Sequence, residues 1–422
     1  MKLLVISQYF YPEQFRVSDV CFKLATMGHD ITVLTGLPNY PAGEIFDGYQ
    51  WNRLKSKTST LGDDLSGNFD SNLGAYRAII NGVKVIRCNL YPRKKGKLNL
   101  ARNYISFAHQ AVMVAKAMAS NFQYDFDKLI VFQYSPVTMA IPGIVLKNRL
   151  KKPLILYCFD LWPESIVSAG LPNHGVIYNI ILKLSKWIYR RADTILISSK
   201  NFEKYFNNKL DIYDNINYLP IYAEDLFIQA STNESIKLQN REHNTNLVFA
   251  GNIGEMQSMD TIIKAANIVK EKTDIHFHII GDGSTLDKCM QLTNELALDN
   301  ITFHGRHPLE EMPKFYDIAD AFLVTLKKDE FISYTLPSKI QSYMAAGKPI
   351  IASIDGETSQ VIEESNCGLV CPAEDWKGLA NIILKFTEEK ENRQNYGDCS
   401  KAYYNEHFTV DKFICNLLES IK

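Results

Sequence analysis

The sequence predicts an α/β protein built from two doubly wound, Rossmann-like domains. Three observations carry that expectation. At 422 residues the chain is longer than one hydrophobic core usually serves. Short, β-branched, nearly continuous apolar runs recur in both halves, as strands buried on both faces of a parallel sheet require. Segments of helical spacing stand between them, and strands alternating with helices imply parallel crossovers. In the first half the runs are Leu3–Ser7, Ile31–Thr35, Val83–Cys88, Leu129–Gln133, Leu154–Cys158 and Ile195–Ser199. Helices are expected over 17–27, closed by Gly28, and over 176–191. The second half restarts with Leu247–Gly251, Ile275–Gly281, Ile301–Gly305, Ala321–Leu326, Pro349–Ser353 and Gly368–Pro372, with helices over 259–271, 285–296 and 339–346.

The first domain is placed at 1–220, where a strand ends in Leu219-Pro220, and the second at 221–406. Residues 407–422 are expected to form a helix returning to the first domain. Residues 52–75, rich in Ser, Thr, Asp, Gly and Asn, read as a surface insertion. Eight scattered cysteines suit reduced core positions in a cytosolic protein. The N-terminal run does not read as a signal peptide, and residues 104–119 contain His109, Gln110 and Lys116, which argues against a membrane span. With 46% hydrophobic and 22% charged residues the composition excludes a disordered chain. A net charge of −1 gives no support for nucleic-acid binding by the whole chain. That total hides two opposed halves: residues 1–200 hold 25 Lys+Arg against 13 Asp+Glu, a net +12, while 201–422 hold 21 against 34, a net −13.

In open α/β sheets ligands bind beyond the carboxyl ends of the strands, so the chemistry is sought in those loops. Gly251-Asn-Ile-Gly-Glu-Met-Gln257 follows a strand and opens a helix near Ser258. Glycines let the backbone approach an anion, and a helix N-terminus offers it free N–H groups; a plain tight turn is the alternative. Thr335-Leu-Pro-Ser-Lys339 opens the helix that ends in Met344-Ala-Ala-Gly-Lys-Pro349, so Ser338 and Lys339 add a hydroxyl and an ammonium suited to a diphosphate.

Gly281-Asp-Gly283, Phe303-His-Gly-Arg306, Glu310-Glu-Met-Pro313, Ala319-Asp320 and the PSK…YMAAGKP run together resemble the donor domain of family-four, GT-B fold glycosyltransferases. Gln8-Tyr-Phe-Tyr-Pro-Glu13, Gly28-His29, Val33–Pro41 and Asp160-Leu-Trp-Pro-Glu164 resemble a narrower branch, similar to the N-acetyl-L-fucosamine transferases of O-antigen and capsule pathways. The resemblance implies two Rossmann-like domains facing a cleft. It also implies retention of anomeric configuration, no metal or other cofactor, and transfer from a UDP-sugar to an undecaprenyl-diphosphate-linked acceptor. Gly251, Asn252, Gly254 and Gln257 would line the diphosphate loop, Ser338 and Lys339 complete it, and the backbone around Arg306 would meet the nucleobase. The family's ribose-binding Glu is Ser342 here, and its partner acid falls at Tyr334, with Glu330 near enough to substitute. A catalytic-loop His of many relatives is Phe159, which leaves Asp160 and Glu164 as titratable candidates. Asp160 as a mere helix cap is the alternative. Glu13, Arg16, Asn39 and Tyr40 are next for acceptor contact. Other functions considered are a UDP-sugar epimerase or hydrolase of similar shape and a non-catalytic scaffold.

Asp125-Phe-Asp127 copies a metal-binding DxD but precedes a strand, so a solvated turn is expected. His276 and His278 alternate in a strand and read as core. Gly281-Asp-Gly283 is no GxGxxG, so a dinucleotide is not expected. The +12 half carries clusters at Arg93–Lys97 with Arg102, Lys147–Lys152 and Lys183–Arg191, with Leu98, Leu100, Tyr104, Ile105 and Phe107 among them. These suit peripheral docking on the anionic inner face of the cell membrane; solvated helix faces are the alternative.

Overall fold

The computed structural model describes residues 1–55, 67–121, 123–168, 170–228, 245–272 and 274–422. The chain divides into two units, one of Met1–Ser198, Glu203–Tyr218 and Leu417–Lys422, the other of Ser199–Phe202 and Leu219–Asn416. The C-terminal helix Val410–Ser420 spans that last division, and within the first unit Lys128 Nζ donates to the Lys422 carbonyl at 3.2 Å.

The first unit's sheet contains β1 (Lys2–Ile6), β2 (Asp30–Gly36), β3 (Gly67–Asp70), β4 (Ala75–Ile80), β5 (Val83–Cys88), β6 (Lys128–Gln133), β7 (Leu154–Cys158), β8 (Thr194–Ile197) and β9 (Ile216–Tyr218). Their order is β3-β4-β5-β2-β1-β6-β7-β8-β9, parallel except where β4 pairs with β3 and β5. Those antiparallel strands correct the sequence reading. The segment 52–75 is not wholly irregular, because Trp51–Lys55 is helical and Gly67–Asp70 is a strand; its residues 56–66 lie outside the described ones. β4 turns into β5 at Asn81-Gly82, both left-handed (φ 48° and 80°), which is the Asn-Gly hairpin signature.

The second sheet contains β10 (Thr245–Ala250), β11 (Ile275–Ile280), β12 (Ile301–Gly305), β13 (Ala321–Thr325), β14 (Ile350–Ser353) and β15 (Gly368–Cys371), parallel throughout, in the order β12-β11-β10-β13-β14-β15. Its two faces bury separate cores. Leu247 and Phe249 of β10 pack with the helix Met259–Val269, whereas Val248 and Ala250 pack with the helix Lys339–Ala345. Burial of both faces is why β10 reads as an unbroken apolar run. His276 and His278 are buried in β11 and bond Thr302 and His304 respectively, as core residues do. Asp125 and Asp127 sit beyond the amino ends of β6 and β1, where Asp127 accepts from the Lys2 N–H at 2.7 Å and Asp125 pairs with Lys152 at 2.9 Å.

Candidate active site

In the second unit, three loops at the carboxyl ends of adjacent strands are tied in series. The Gly251 N–H donates to Ile280 O at 2.9 Å and the Gly281 N–H to Gly305 O at 2.8 Å. Gly281 (φ +144°) must be glycine, since a Cβ there would lie 1.8 Å from Gly251 O. Gln257 closes the first loop, its Oε1 accepting from the Gly254 N–H at 3.1 Å and from Asn252 Nδ2 at 3.2 Å. The loop ends in a 3-10 turn, Glu255–Gln257, and the helix Met259–Val269 follows with Ser258 as its N-cap, where the sequence placed its start. A cavity of about 380 Å³ adjoins the turn, lined by Gly254, Ser258, Asp260, Thr285, Lys327 and Glu374 among others.

Lys339 reaches this loop from the start of its own helix. A Cβ placed on Gly251 (φ +145°) would lie 3.0 Å from Lys339 Nζ, and the ammonium sits 4.0 Å from the centre of the Phe249 ring. Among the described residues no carboxylate pairs with it. Burial pushes its pKa down to about 7. The arrangement is a cation held against glycine backbone with no protein counter-charge, which an anionic ligand would supply. Tyr343, one turn on, holds the strand that delivers the loop: its hydroxyl donates to Ala250 O at 2.9 Å and accepts from the Ala250 N–H at 3.0 Å. The sequence marked Tyr343 only as part of a motif, not as a positioning residue. Ser338 is exposed beside Lys339, and Ser342 is buried with its hydroxyl 3.5 Å from Ser338 O. Arg306 is exposed after β12. Tyr334, at the position expected for the partner acid, donates its hydroxyl to the Glu330 carboxylate at 2.8 Å.

In the first unit the loops after β1, β2, β6 and β7 form a second polar cluster at the carboxyl edge. Asp160 accepts from the hydroxyls of Ser135 and Ser165, and Trp162 Nε1 donates to Ser135 Oγ at 2.9 Å. Burial raises the Asp160 pKa, and the hydroxyls oppose the rise. The carboxylate is therefore held in place by side chains rather than serving as a helix cap. Glu164 lies deeper, with Oε1 accepting from Tyr178 at 2.7 Å and Tyr205 at 3.1 Å, and Oε2 buried without a hydrogen-bond partner among the described residues. Glu13 is also buried. Its Oε1 accepts from the N–H groups of Asn39 (2.9 Å) and Tyr40 (2.8 Å), and its Oε2 from that of Phe10 (3.3 Å). Asn39 Oδ1 accepts from the Arg93 N–H at 2.8 Å and from Asn103 Nδ2 at 3.3 Å. Glu13 and Asn39 thus join loops internally. Tyr40 is half-exposed, and Arg16 opens the helix Arg16–Thr26.

The structure also redraws the basic clusters. Arg93 turns inward, its Nη1 donating to Tyr9 Oη at 3.1 Å and its guanidinium carbon 5.2 Å from the Tyr40 ring. Phe107 is fully buried and Tyr104 half-buried against Trp162, so neither is a free apolar surface, while Leu98 and Ile105 are exposed. Lys147, Lys152 and Lys186 are paired with Asp193, Asp125 and Asp211.

Residues 230–402 match the family model described as glycosyl transferases group 1. Along most of its length the chain resembles a probable glycosyltransferase of Pseudomonas aeruginosa, WbjE, at 24% identity over 87% of this chain and 92% of that one. It also resembles the putative colanic acid biosynthesis glycosyl transferase WcaI of Escherichia coli K12, at 21% over 85% and 84%. Among solved structures, HepE of Anabaena in complex with UDP and glucose superposes with a TM-score of 0.70 at 13% identity, covering 100% of this chain and 99% of that one. Sucrose-phosphate synthase of Thermosynechococcus elongatus superposes with a TM-score of 0.73 at 14% identity, covering 99% and 98%. The fold is GT-B, two α/β units whose sheets are parallel apart from the β3-β4-β5 edge of the first, and the second unit carries the group 1 glycosyl transferase match.

Proposed function

We propose that the protein is a retaining glycosyltransferase of bacterial O-antigen or capsule synthesis. In this reading it moves a sugar from a UDP-sugar to an acceptor linked to undecaprenyl diphosphate, with N-acetyl-L-fucosamine the sugar proposed and no metal or other cofactor required. The observation that carries the reading is Lys339, half-buried and without a counter-charge among the described residues, set against the Gly251 loop. A diphosphate at that loop would restore the lysine's charge and receive a charge-assisted hydrogen bond. The bound UDP of the HepE structure and the colanic acid biosynthesis role in the Escherichia coli relative's name support the same reading. As the bond from the anomeric carbon to the diphosphate breaks, Lys339 would stabilise the departing charge. The acceptor hydroxyl bonds to that carbon and passes its proton to the leaving phosphate, so no separate base is needed. Asp160, fixed by two serines, would orient the acceptor or steady the positive anomeric carbon. The enzyme would work at the inner face of the cell membrane, where its acceptor lies.

The test is a panel of nucleotide sugars screened by thermal stabilisation, followed by turnover with and without acceptor. UDP-linked N-acetylated sugars should stabilise the wild type, Lys339→Met should remove the effect, and the donor should stay nearly idle without acceptor. Stabilisation by no nucleotide sugar sinks the reading, and rapid donor consumption without acceptor points to a hydrolase or epimerase.

A further inference from the structure

We infer that Arg93 is the anchor of an anion site in the first unit that receives a phosphate or diphosphate ester of the acceptor. The inference rests on the glycosyltransferase reading and names the chemistry of its acceptor side. Arg93 lies between β5 and the helix Lys97–Ala119, and its backbone is fixed: the N–H donates to buried Asn39, and Gly43 packs so closely that a Cβ there would lie 2.3 Å from Arg93 O. The guanidinium is half-buried, with Nη1 on Tyr9 and the rings of Tyr40 and Tyr104 at 5.2 and 6.0 Å. Among the described residues no carboxylate pairs with it. A partly desolvated cation lacking a counter-charge is costly to maintain, and a ligand anion removes the cost. The guanidinium fork fits a phosphate bidentately, and the half-exposed Tyr40 ring offers a flat face beside it for a sugar.

The site is chained to Asp160 within the same unit. Tyr104 lies 6.1 Å from Trp162, ring to ring, and Trp162 donates to the serine that donates to Asp160. An ester anchored at Arg93 would therefore carry its sugar along a path lined by Tyr40 and Tyr104 toward the held carboxylate. The diphosphate could belong to a lipid carrier or to a free sugar phosphate; the chemistry at Arg93 is the same.

Calorimetry on the full chain tests this, in a Lys339→Met background that removes the cation of the other unit. Inorganic pyrophosphate, farnesyl diphosphate and glucose 1-phosphate are the probes. Arg93→Met should weaken pyrophosphate binding by roughly tenfold or more, with Arg93→Lys falling between. With Lys339 restored, UDP should bind Arg93→Met as it binds the wild type. Tyr40→Ala, which leaves the guanidinium bonded to Tyr9, should weaken glucose 1-phosphate but not pyrophosphate, and keeps the test open if Arg93→Met does not fold. Stronger binding of farnesyl diphosphate than of inorganic pyrophosphate assigns the site to a lipid-linked acceptor, and binding no stronger than pyrophosphate to a soluble one. Pyrophosphate binding that survives Arg93→Met overturns the inference. If no nucleotide sugar binds the wild type while the Arg93 effect holds, the glycosyltransferase reading fails and the anion site stands.

Discussion

Lys339 shows how one side chain links packing to chemistry. Its ammonium is set between the Phe249 ring and the Gly251 backbone, where burial lowers its pKa to about 7, so near neutral pH it is only partly protonated. A diphosphate binds the protonated form. Below about pH 7 the charge is already present; above it, binding must take up a proton, and affinity falls as pH rises. The dissociation constant of UDP should climb toward about tenfold per pH unit between roughly pH 7 and 9, as long as the bound lysine stays charged. Calorimetry in buffers of different ionisation heat should show one proton taken up above pH 7. A dissociation constant that does not move over this range would place the ammonium away from the ligand. Tyr343 bears on the same loop through the backbone, because both of these bonds go to Ala250, the residue before Gly251.

Among the elements, the loops after β1 and β2 depend on Glu13, whose carboxylate accepts three backbone N–H groups. Burial nevertheless raises its pKa to about 7, against those bonds and the Arg87 charge. A raised value in the folded state means that the contribution to stability is full below about pH 4.5 and is lost as pH rises toward 7. Glu13→Gln does not titrate, so its stability relative to wild type should improve from about pH 5 to about pH 7 in urea unfolding and then level off. The opposite trend would mean that Arg87 and the backbone hold the carboxylate ionised. This part of the fold was only half legible in the sequence. The apolar runs located β1 and β2, and the loops after them were marked by Glu13 and Asn39. That Asn39 turns inward depends on Arg93 and Asn103, more than fifty residues away, meeting it, and Glu13 turns in to the N–H groups of Asn39 and Tyr40, 26 and 27 residues on. No local pattern carries that. Arg93 was grouped with its lysine neighbours for the same reason, since a run of charge does not reveal which member turns in. β3 and β4 are different. The Asn81-Gly82 turn between alternating apolar residues was readable, and the polar stretch before it obscured the hairpin. The Gly251 loop and Lys339 were legible because their signals, glycines after a strand and a Ser-Lys pair opening a helix, are local.

For the whole molecule, the near-neutral total conceals a first half of net +12. Several of its cations are neutralised locally, and Lys94, Lys95, Lys97 and Lys183 are among those that stay exposed. Apolar side chains accompany them. Leu98 is 79% exposed on the helix Lys97–Ala119, and Val176, Ile177 and Ile180 are at least 60% exposed on the helix Val176–Tyr189. Neither helix contains an acidic residue. Lys97 Nζ donates to Gly170 O at 3.1 Å, which brings the start of the first helix beside the loop leading to the second. Like charge opposes self-association through such a surface, whereas an anionic bilayer supplies both counter-charge and an apolar phase. Ile177→Gln with Ile180→Gln removes apolar contact from exposed positions and leaves every charge in place. At about 1 kcal/mol or more for each partly inserted side chain, the pair should lower partitioning onto phosphatidylglycerol vesicles by roughly tenfold or more. Raising salt from about 0.05 to 0.5 M should weaken wild type and variant alike, because the lysines act through a screened field. Co-sedimentation with anionic and zwitterionic vesicles reads both effects. Equal binding of wild type and double variant, or equal binding to the two vesicle types, would leave these helices as solvated faces.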